Sequence, residues 1–317
     1  KKVLILYGRS DWRKSKPFEN KRYQYSYEYF YDLCKRNGIQ MYRASYEWYD
    51  PKKNIFTHAW IFEGPEGHWK KVKNIKPDLI YDKTTGRLEV YYKKELIRRH
   101  YLFINDIFFT MTVDDKFITG LIFAKWSKQS WIVRNTKELL KYSKNIKTSK
   151  VVIKPISKSG GKDILIIPKS KIKDVRLKEE MIIQEFIDSS RGIPGVIYGM
   201  HDLRLVFVNE KIVYVYIRQP RKGSYLANLA QGGSLQIVPK NKIPRSVRPI
   251  VQHANQVFAS YEPRVFTIDL MFDKNQRPWV IELNSMPGLY FTPEEKLSML
   301  HMYAELLKVF KRKLNIL

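Results

Sequence analysis

A single cysteine, Cys34, is the whole thiol content of the 317-residue chain, so no internal disulfide can form. That scarcity fits a reducing compartment, and a cytoplasmic location is expected. Cys34 falls in an expected helix with no evident histidine partner, which marks it as a buried structural thiol rather than a nucleophile. Long apolar runs are missing too. Residues 1–8 hold too short an apolar stretch for a signal peptide, and no membrane span is expected. No GxGxxG pattern follows the first expected strand, which argues against a dinucleotide site there. No internal repeat is visible, and neither a Ser-His-Asp nor a Cys-His arrangement is evident. Acidic residues are the scarcer charge: 31 Asp and Glu against 58 Lys and Arg leave a net charge of +27. Such a balance favours anionic partners, including nucleic acid, phosphorylated metabolites and acidic membranes. The lysines are scattered through every segment rather than gathered in a tail or stripe, so compositional bias explains the charge equally well.

The length calls for two or three domains, and a hydrophobic content of 44% is enough for globular cores. Strand-like runs at residues 3–7, 39–43, 55–63, 69–73 and 77–81 surround a Tyr-rich segment. Its tyrosines alternate, but residues 26–35 close on Asn37-Gly38, a helix stop, so a helix is expected there. These pieces make a small α/β domain ending near Asn105. Asp114 and Asp115 are well placed at the start of a helix, and Thr136 is expected to cap another. A β-rich remainder follows, with helical character at residues 248–261 and an amphipathic terminal helix over residues 294–314.

Chemistry gathers in the second half. The segment from Phe266 to Gly288 reads as a β-hairpin, with strands at residues 265–272 and 279–283. If Phe272 faces Trp279 at the turn, Asp269 stands opposite Glu282, and Asn284 projects on the same side as Glu282. Two carboxylates in apolar strands repel and are costly to desolvate, a conflict that a hard divalent cation resolves. A solvent-facing polar hairpin face is the plain alternative. Upstream, Lys154 lies in an apolar strand followed by Ser159, Gly160 and Gly161. A lysine there calls for an anion, and a glycine pair lets backbone N–H groups approach a phosphate. A simple hairpin with a surface lysine fits the same residues. Arg204 and Arg218 are the basic members of two further apolar strands. The long 219–234 loop has the length of a lid or substrate clamp.

In order and spacing these pieces resemble the ATP-grasp family, within it the bacterial glutathione synthetase and ribosomal-protein S6 glutamate ligase branch. The likeness runs from about Asn105 to Gly288. It is carried by Lys154-Pro155 with Ser159-Gly160-Gly161, by Asp202-x-Arg204, by Gly223…Asn228-Leu229…Gly232-Gly233, and by Asp269…Glu282-x-Asn284…Pro287-Gly288. The resemblance implies an α/β (α+β) ATP-grasp fold: an N-terminal pre-ATP-grasp domain over residues 1–105, a lid subdomain with helical linker over 106–187, and a large subdomain with the metal site over 188–317. It implies ATP and Mg²⁺, or Mn²⁺ in its place, as cofactors. Lys116 and Lys154 match the phosphate-holding lysines, and Ser159, Gly160 and Gly161 match the mobile loop. Glu185 and Phe186 match the adenine hinge, and Asp202 a nucleotide-binding acid. Asp269, Glu282 and Asn284 match the metal ligands, Arg204 and Arg218 the arginines near the transferred phosphate, and Asn228 falls on the substrate-side loop. One departure stands out: related ligases carry an arginine two residues before that asparagine, where this chain has Leu226, which implies either a different carboxylate substrate or compensation by Arg221 or Lys222. The implied activity is ATP-dependent carboxylate–amine ligation through an acyl phosphate, on small-molecule or peptide substrates. A kinase acting on a hydroxyl is the alternative, and a nucleic-acid-binding module ranks last. Related ligases are commonly oligomeric, so a homo-oligomer is a further expectation.

Overall fold

Val3, Leu4, Ile5 and Leu6 are all fully buried, as a strand covered on both faces demands. The computed structural model describes residues 1–63, 68–84, 88–158, 160–161, 163–227 and 232–316. Strand β1 (Lys2–Tyr7) leads through helix α1 (Lys21–Arg36) to a parallel neighbour, β2 (Gln40–Ser45). The antiparallel strands β3 (Tyr49–Asp50), β4 (Ile55–Glu63) and β5 (His68–Ile75) extend that side. On the other side β6 (Leu79–Asp82), helix α2 (Leu88–Arg98) and β7 (Leu102–Ile104) complete a seven-stranded sheet with parallel pairing. Helices α3 (Ile107–Asp114) and α4 (Lys116–Ile122) then carry the chain to a second sheet. That sheet is antiparallel, built from β8 (Ser130–Val133), β9 (Lys150–Pro155), β10 (Leu165–Pro168) and β11 (Met181–Glu185), with α5 (Thr136–Ser143) between β8 and β9.

The third sheet has the order β14-β13-β12-β15-β16, all antiparallel. Its strands are β12 (Asp202–Val208), β13 (Lys211–Gln219), β14 (Ser234–Ile237), β15 (Val265–Phe272) and β16 (Pro278–Asn284), with helix α6 (Arg248–Val257) preceding β15. Helix α7 (Lys296–Lys313) closes the chain. Met302, Tyr303, Leu306 and Phe310 of α7 share one core with Val3 and Ile5 of β1, Phe30 of α1 and Val206 of β12. The last helix therefore ties the third sheet to the first.

The tyrosine run is helical, and five residues longer at its start than its pattern suggests. Tyr27, Phe30, Tyr31 and Cys34 are buried at helical spacing, while Tyr25 is exposed. Burial every third and fourth residue overrides the alternation of the tyrosines. Thr136 does not cap α5: Asn135 does, its Oδ1 accepting from Glu138 N at 2.9 Å. The Thr136 hydroxyl instead donates to Val175 O at 2.8 Å. The α-helix α6 ends at Val257, and a 3₁₀ turn covers Ala259–Tyr261. The 64–67 turn lies outside the described residues. No helix among the described residues is long and apolar enough to cross a membrane.

Candidate functional site

The site grows from the alternation of β12, Asp202-Leu-Arg-Leu. Leu203 and Leu205 face a core built with Ile217, Ile268 and Leu270, which sends Asp202 and Arg204 to the opposite face. Register then assembles a row across four strands: Tyr216 of β13 faces Arg204, Arg204 faces Asp269, and Asp269 faces Glu282. Arg218 faces Asp202 one step along.

The Asp269–Glu282 pairing arises differently from the expected register. Phe272 pairs with Pro278, not Trp279, a one-residue offset that by itself would set Asp269 opposite Ile281. A bulge between Asp269 and Leu270 absorbs the offset and restores Glu282 to the row. The extra residue, Ile281, presents its carbonyl to Lys154 Nζ at 3.1 Å.

The charges interleave. Arg204 Nε donates to Asp269 Oδ1 at 2.6 Å, and its NH2 group donates to Oδ2. Arg218 bridges two acids: Nε and NH2 donate to Asp202 at 2.7 and 2.8 Å, and NH2 also reaches Asp269 Oδ2 at 2.7 Å. Burial alone would raise the Asp269 carboxyl, but the two guanidiniums hold it below the usual carboxylate range. Burial, aided by the Asp269 charge, pushes Asp202 up to about 6 against the pull of Arg218. Lys116 Nζ lies 3.5 Å from Glu282 Oε2, and Arg204 NH2 lies 3.8 Å from Oε1. Both separations exceed hydrogen-bonding distance, so Glu282 keeps lone pairs open. Lys154 is pushed down to about 8 by burial first and by Lys116 second, with Glu282 opposing. Four cations, Lys116, Lys154, Arg204 and Arg218, thus stand around three carboxylates, a surplus that suits an anionic ligand.

These groups line or neighbour a cleft between the second and third sheets that borders about 730 Å³ of open space. Asp202, Arg218, Asp269, Glu282, Lys154 and Gly161 reach its wall, while Lys116 and Arg204 do not line it but stand beside Glu282 and Asp269. Gly160 and Gly161 adopt φ of +75° and +69°, left-handed geometry that glycine takes without strain. Glu185 and Phe186 line the cleft. The Glu185 carboxylate turns to Lys128 Nζ at 3.2 Å and Lys147 N at 3.0 Å. Asn284 of β16 pairs with Thr267 of β15, its Oδ1 accepting from Met286 N at 2.8 Å, and does not line the cleft. Ser159, Asn228 and Leu229 lie outside the described residues. Leu226 lines the cleft, whereas Arg221 and Lys222 are exposed and do not. The cation nearby is Lys150, whose Nζ donates to the neighbouring Tyr225 hydroxyl at 2.5 Å.

The carboxylate oxygens of Asp269 and Glu282 suit a hard cation such as Mg²⁺ rather than a soft one, while Asn284, off the cleft wall and bonded to Met286 N, does not join them in this structure. Asp269 has three of its lone-pair directions filled by arginine, and Glu282 has none filled at hydrogen-bonding distance among the described residues, so the carboxylate pair fits such an ion with Glu282 the more open ligand.

Sequence reasoning missed the groups that aim the hairpin. Asn105 Nδ2 donates to Val265 O at 2.7 Å and Ser285 O at 3.0 Å, while its Oδ1 accepts from Val265 N at 2.6 Å. One buried amide therefore clasps the start of β15 and the residue after β16. Asp114 accepts from Ser285 N and Oγ, both at 2.8 Å, and burial pushes its carboxyl up to about 6. Nothing local in the Asn105 or Asp114 sequence context signals partners 160 to 180 residues away.

Residues 115–308, which include the whole charged row, match the RimK-like ATP-grasp domain family. Over 152 residues the chain is 28% identical to a probable alpha-L-glutamate ligase of Vibrio parahaemolyticus, and over 145 residues 32% identical to one of Legionella pneumophila. These alignments cover 46% and 44% of this chain and 46% and 43% of the relatives, so the chain spans about half the length of the curated relatives it matches. Among solved structures, a D-cycloserine synthetase superposes with a TM-score of 0.65 at 13% identity, over 97% of this chain and 99% of that one. A D-Ala:D-Ser ligase from Enterococcus faecalis gives 0.64 at 13% identity, over 99% of both chains. At such identities the likeness is one of fold. The expected α/β architecture and the branch resemblance are both borne out.

Proposed function

The chain belongs to the RimK-like ATP-grasp family, and on that premise we propose that it is an ATP-dependent carboxylate–amine ligase working through an acyl phosphate. The observation that carries this reading is the cluster of Lys154, Arg218, Asp202, Asp269 and Glu282 on one cleft wall, with Lys116 and Arg204 paired to its carboxylates. The proposed division of the chain is a first domain over 1–105, a lid over 106–187 and a large subdomain over 188–317. Lys154, with Lys116 near it, holds the β- and γ-phosphates, and the loop of Gly160 and Gly161 covers them. The backbone at Glu185 and Phe186 meets the adenine. Asp269 and Glu282 would hold Mg²⁺, with Asn284 joining them once its side chain turns from Met286 N, and the ion would supply neutralisation of phosphate charge and polarisation of the transferred group.

A substrate carboxylate oxygen attacks the γ-phosphorus, forming an O–P bond as the bond to the leaving ADP oxygen breaks. An amine then attacks the acyl carbon, the C–N bond forms, phosphate departs and the amine loses a proton. The chain's own contribution is positioning and charge stabilisation. Arg218 and Arg204, held in plane by Asp202 and Asp269, present fixed positive charge where the transferred phosphoryl passes. The names of the relatives point to an amino acid, glutamate among them, as the amine-bearing partner, and a homo-oligomer accords with the family.

A hydroxylamine trap tests the reaction class. With ATP, Mg²⁺ and a panel of amino acids and peptides, a ligase yields ADP and a hydroxamate, whereas a hydroxyl kinase yields a stable phosphate ester. Glu282→Gln and Lys154→Met are expected to lose most ADP release while keeping the circular dichroism spectrum. Near-normal turnover in both would reject the site assignment.

A further inference from the structure

A second cluster lies outside the nucleotide cleft, at the carboxyl ends of β1 and β2. In open parallel sheets that edge is where ligands settle, beside the point at which the strand order reverses. Here β1 has β2 on one side and β6 on the other, and the 8–20 connection between β1 and α1 borders about 1030 Å³ of open space. Arg43 of β2 forms part of its wall, although the residue is only 6% exposed.

The setting of this guanidinium is specific. Tyr7 covers it with the ring centroid 3.5 Å from Cζ, and Phe18 stands 4.6 Å away. Nε makes a long contact of 3.4 Å with Asp11 Oδ2, and Asp11 Oδ1 is already taken by Trp60 Nε1 at 2.7 Å. Arg43 NH1 is buried with no hydrogen-bond partner among the described residues. A buried donor left unpaired on a charged group is expensive, so the arrangement calls for an acceptor. Two rings stand over the guanidinium and Asp11 meets the Nε corner, which leaves NH1 unpaired at the NH1–NH2 edge among the described residues. A planar, bidentate acceptor suits that edge, and a carboxylate has the matching geometry. One further feature agrees: Arg9 and Lys14 add cations to the rim against the carboxylate of Glu19 there.

The wall of the space touches the segment that follows the hairpin. Tyr23 of its wall stacks on Tyr290 with ring centroids 4.0 Å apart. Tyr290 follows Asn284 by six residues, a span of at most about 22 Å even when fully extended. We infer that this pocket is a carboxylate subsite centred on Arg43, which holds a carboxylate of the substrate other than the one activated. The role as a substrate subsite rests on the ligase reading; the anion site itself rests on Arg43 and its neighbours alone.

Trp60 bonds to the same Asp11 that contacts Arg43, so tryptophan emission of the full chain reports occupancy. Titration with glutarate is expected to give a saturable change, with its neutral isostere glutaramide giving none and inorganic phosphate binding at least tenfold more weakly. Arg43→Lys, which loses both stacking and the bidentate edge, is expected to weaken glutarate binding at least tenfold, and Arg9→Ala about threefold. Equal responses to glutarate and glutaramide, or unchanged binding in Arg43→Lys, overturn the site. Tighter binding of phosphate overturns the carboxylate assignment. Should Arg43→Lys lose its native circular dichroism spectrum, Arg9→Ala, altered at an exposed position, decides with the same readout. Glutarate binding without ADP release for any carboxylate–amine pair would reject the ligase reading and leave the carboxylate site standing. ADP release without glutarate binding would do the reverse.

Discussion

Lys154 offers the sharpest test of the nucleotide site, because burial has moved its titration into an accessible range. Its ammonium is buried, lies near Lys116, and has the Ile281 carbonyl as its hydrogen-bond acceptor at 3.1 Å. Together these push its pKa down to about 8. A phosphate placed against the ammonium favours the charged form and returns the pKa upward. Binding then takes up a proton wherever the free site has lost one. With a free-site value near 8, about nine-tenths of the sites are charged at pH 7 and about one-tenth at pH 9. The affinity for ADP should therefore fall about tenfold between these pH values, or about 1.4 kcal/mol. Calorimetry at pH 9 in two buffers of different ionisation enthalpy should show uptake of nearly one proton per ADP, against about a tenth of one at pH 7. Lys154→Met should bind more weakly at pH 7 and lose most of the slope. An affinity that stays flat from pH 7 to 9 in the wild type, or an equal slope in Lys154→Met, would refute the placement of this lysine against phosphate.

Three further outcomes follow from the same geometry. Asp114 sits at about 6 when folded against an ordinary 3.8, so the folded state favours its protonated form. The penalty is full above the folded value and disappears below the unfolded one. Relative to the non-titrating Asp114→Asn, the wild type should therefore gain about 1 kcal/mol of stability from pH 7 to pH 5, read by urea denaturation. Arg204→Met leaves Asp269 with Arg218 as its remaining hydrogen-bonding cation and should cost about 3–5 kcal/mol, whereas the double variant Arg204→Met, Asp269→Leu should recover part of that loss. Equal stability of the single and double variants would count against a coupled pair. Leu226→Arg, at a cleft position near Lys150, should alter KM for the carboxylate substrate at least threefold while leaving KM for ATP within twofold.

Much of this protein is legible in short stretches of its sequence, and the reason is local periodicity. Alternation in Asp202-Leu-Arg-Leu announces a strand with one apolar and one charged face, because side chains on a strand must alternate. The lysine in the apolar 151–155 run and the glycine pair after it announce an anion site, because burial of charge and positive φ each restrict which residues serve. Tertiary structure decided which charges meet. Arg204 and Asp269 lie 65 residues apart and join only because β12 and β15 pair in one register. Glu282 enters the row only through a bulge that the 265–284 sequence does not announce. The tyrosine run became helical because core packing, not alternation, sets which faces are buried. Asn105 clasps both ends of the hairpin, and Arg43 lies against the rings of Tyr7 and Phe18, through contacts that no local pattern encodes. Composition and spacing specify what a segment can be; strand register and packing between distant segments specify which partner each charged group finds.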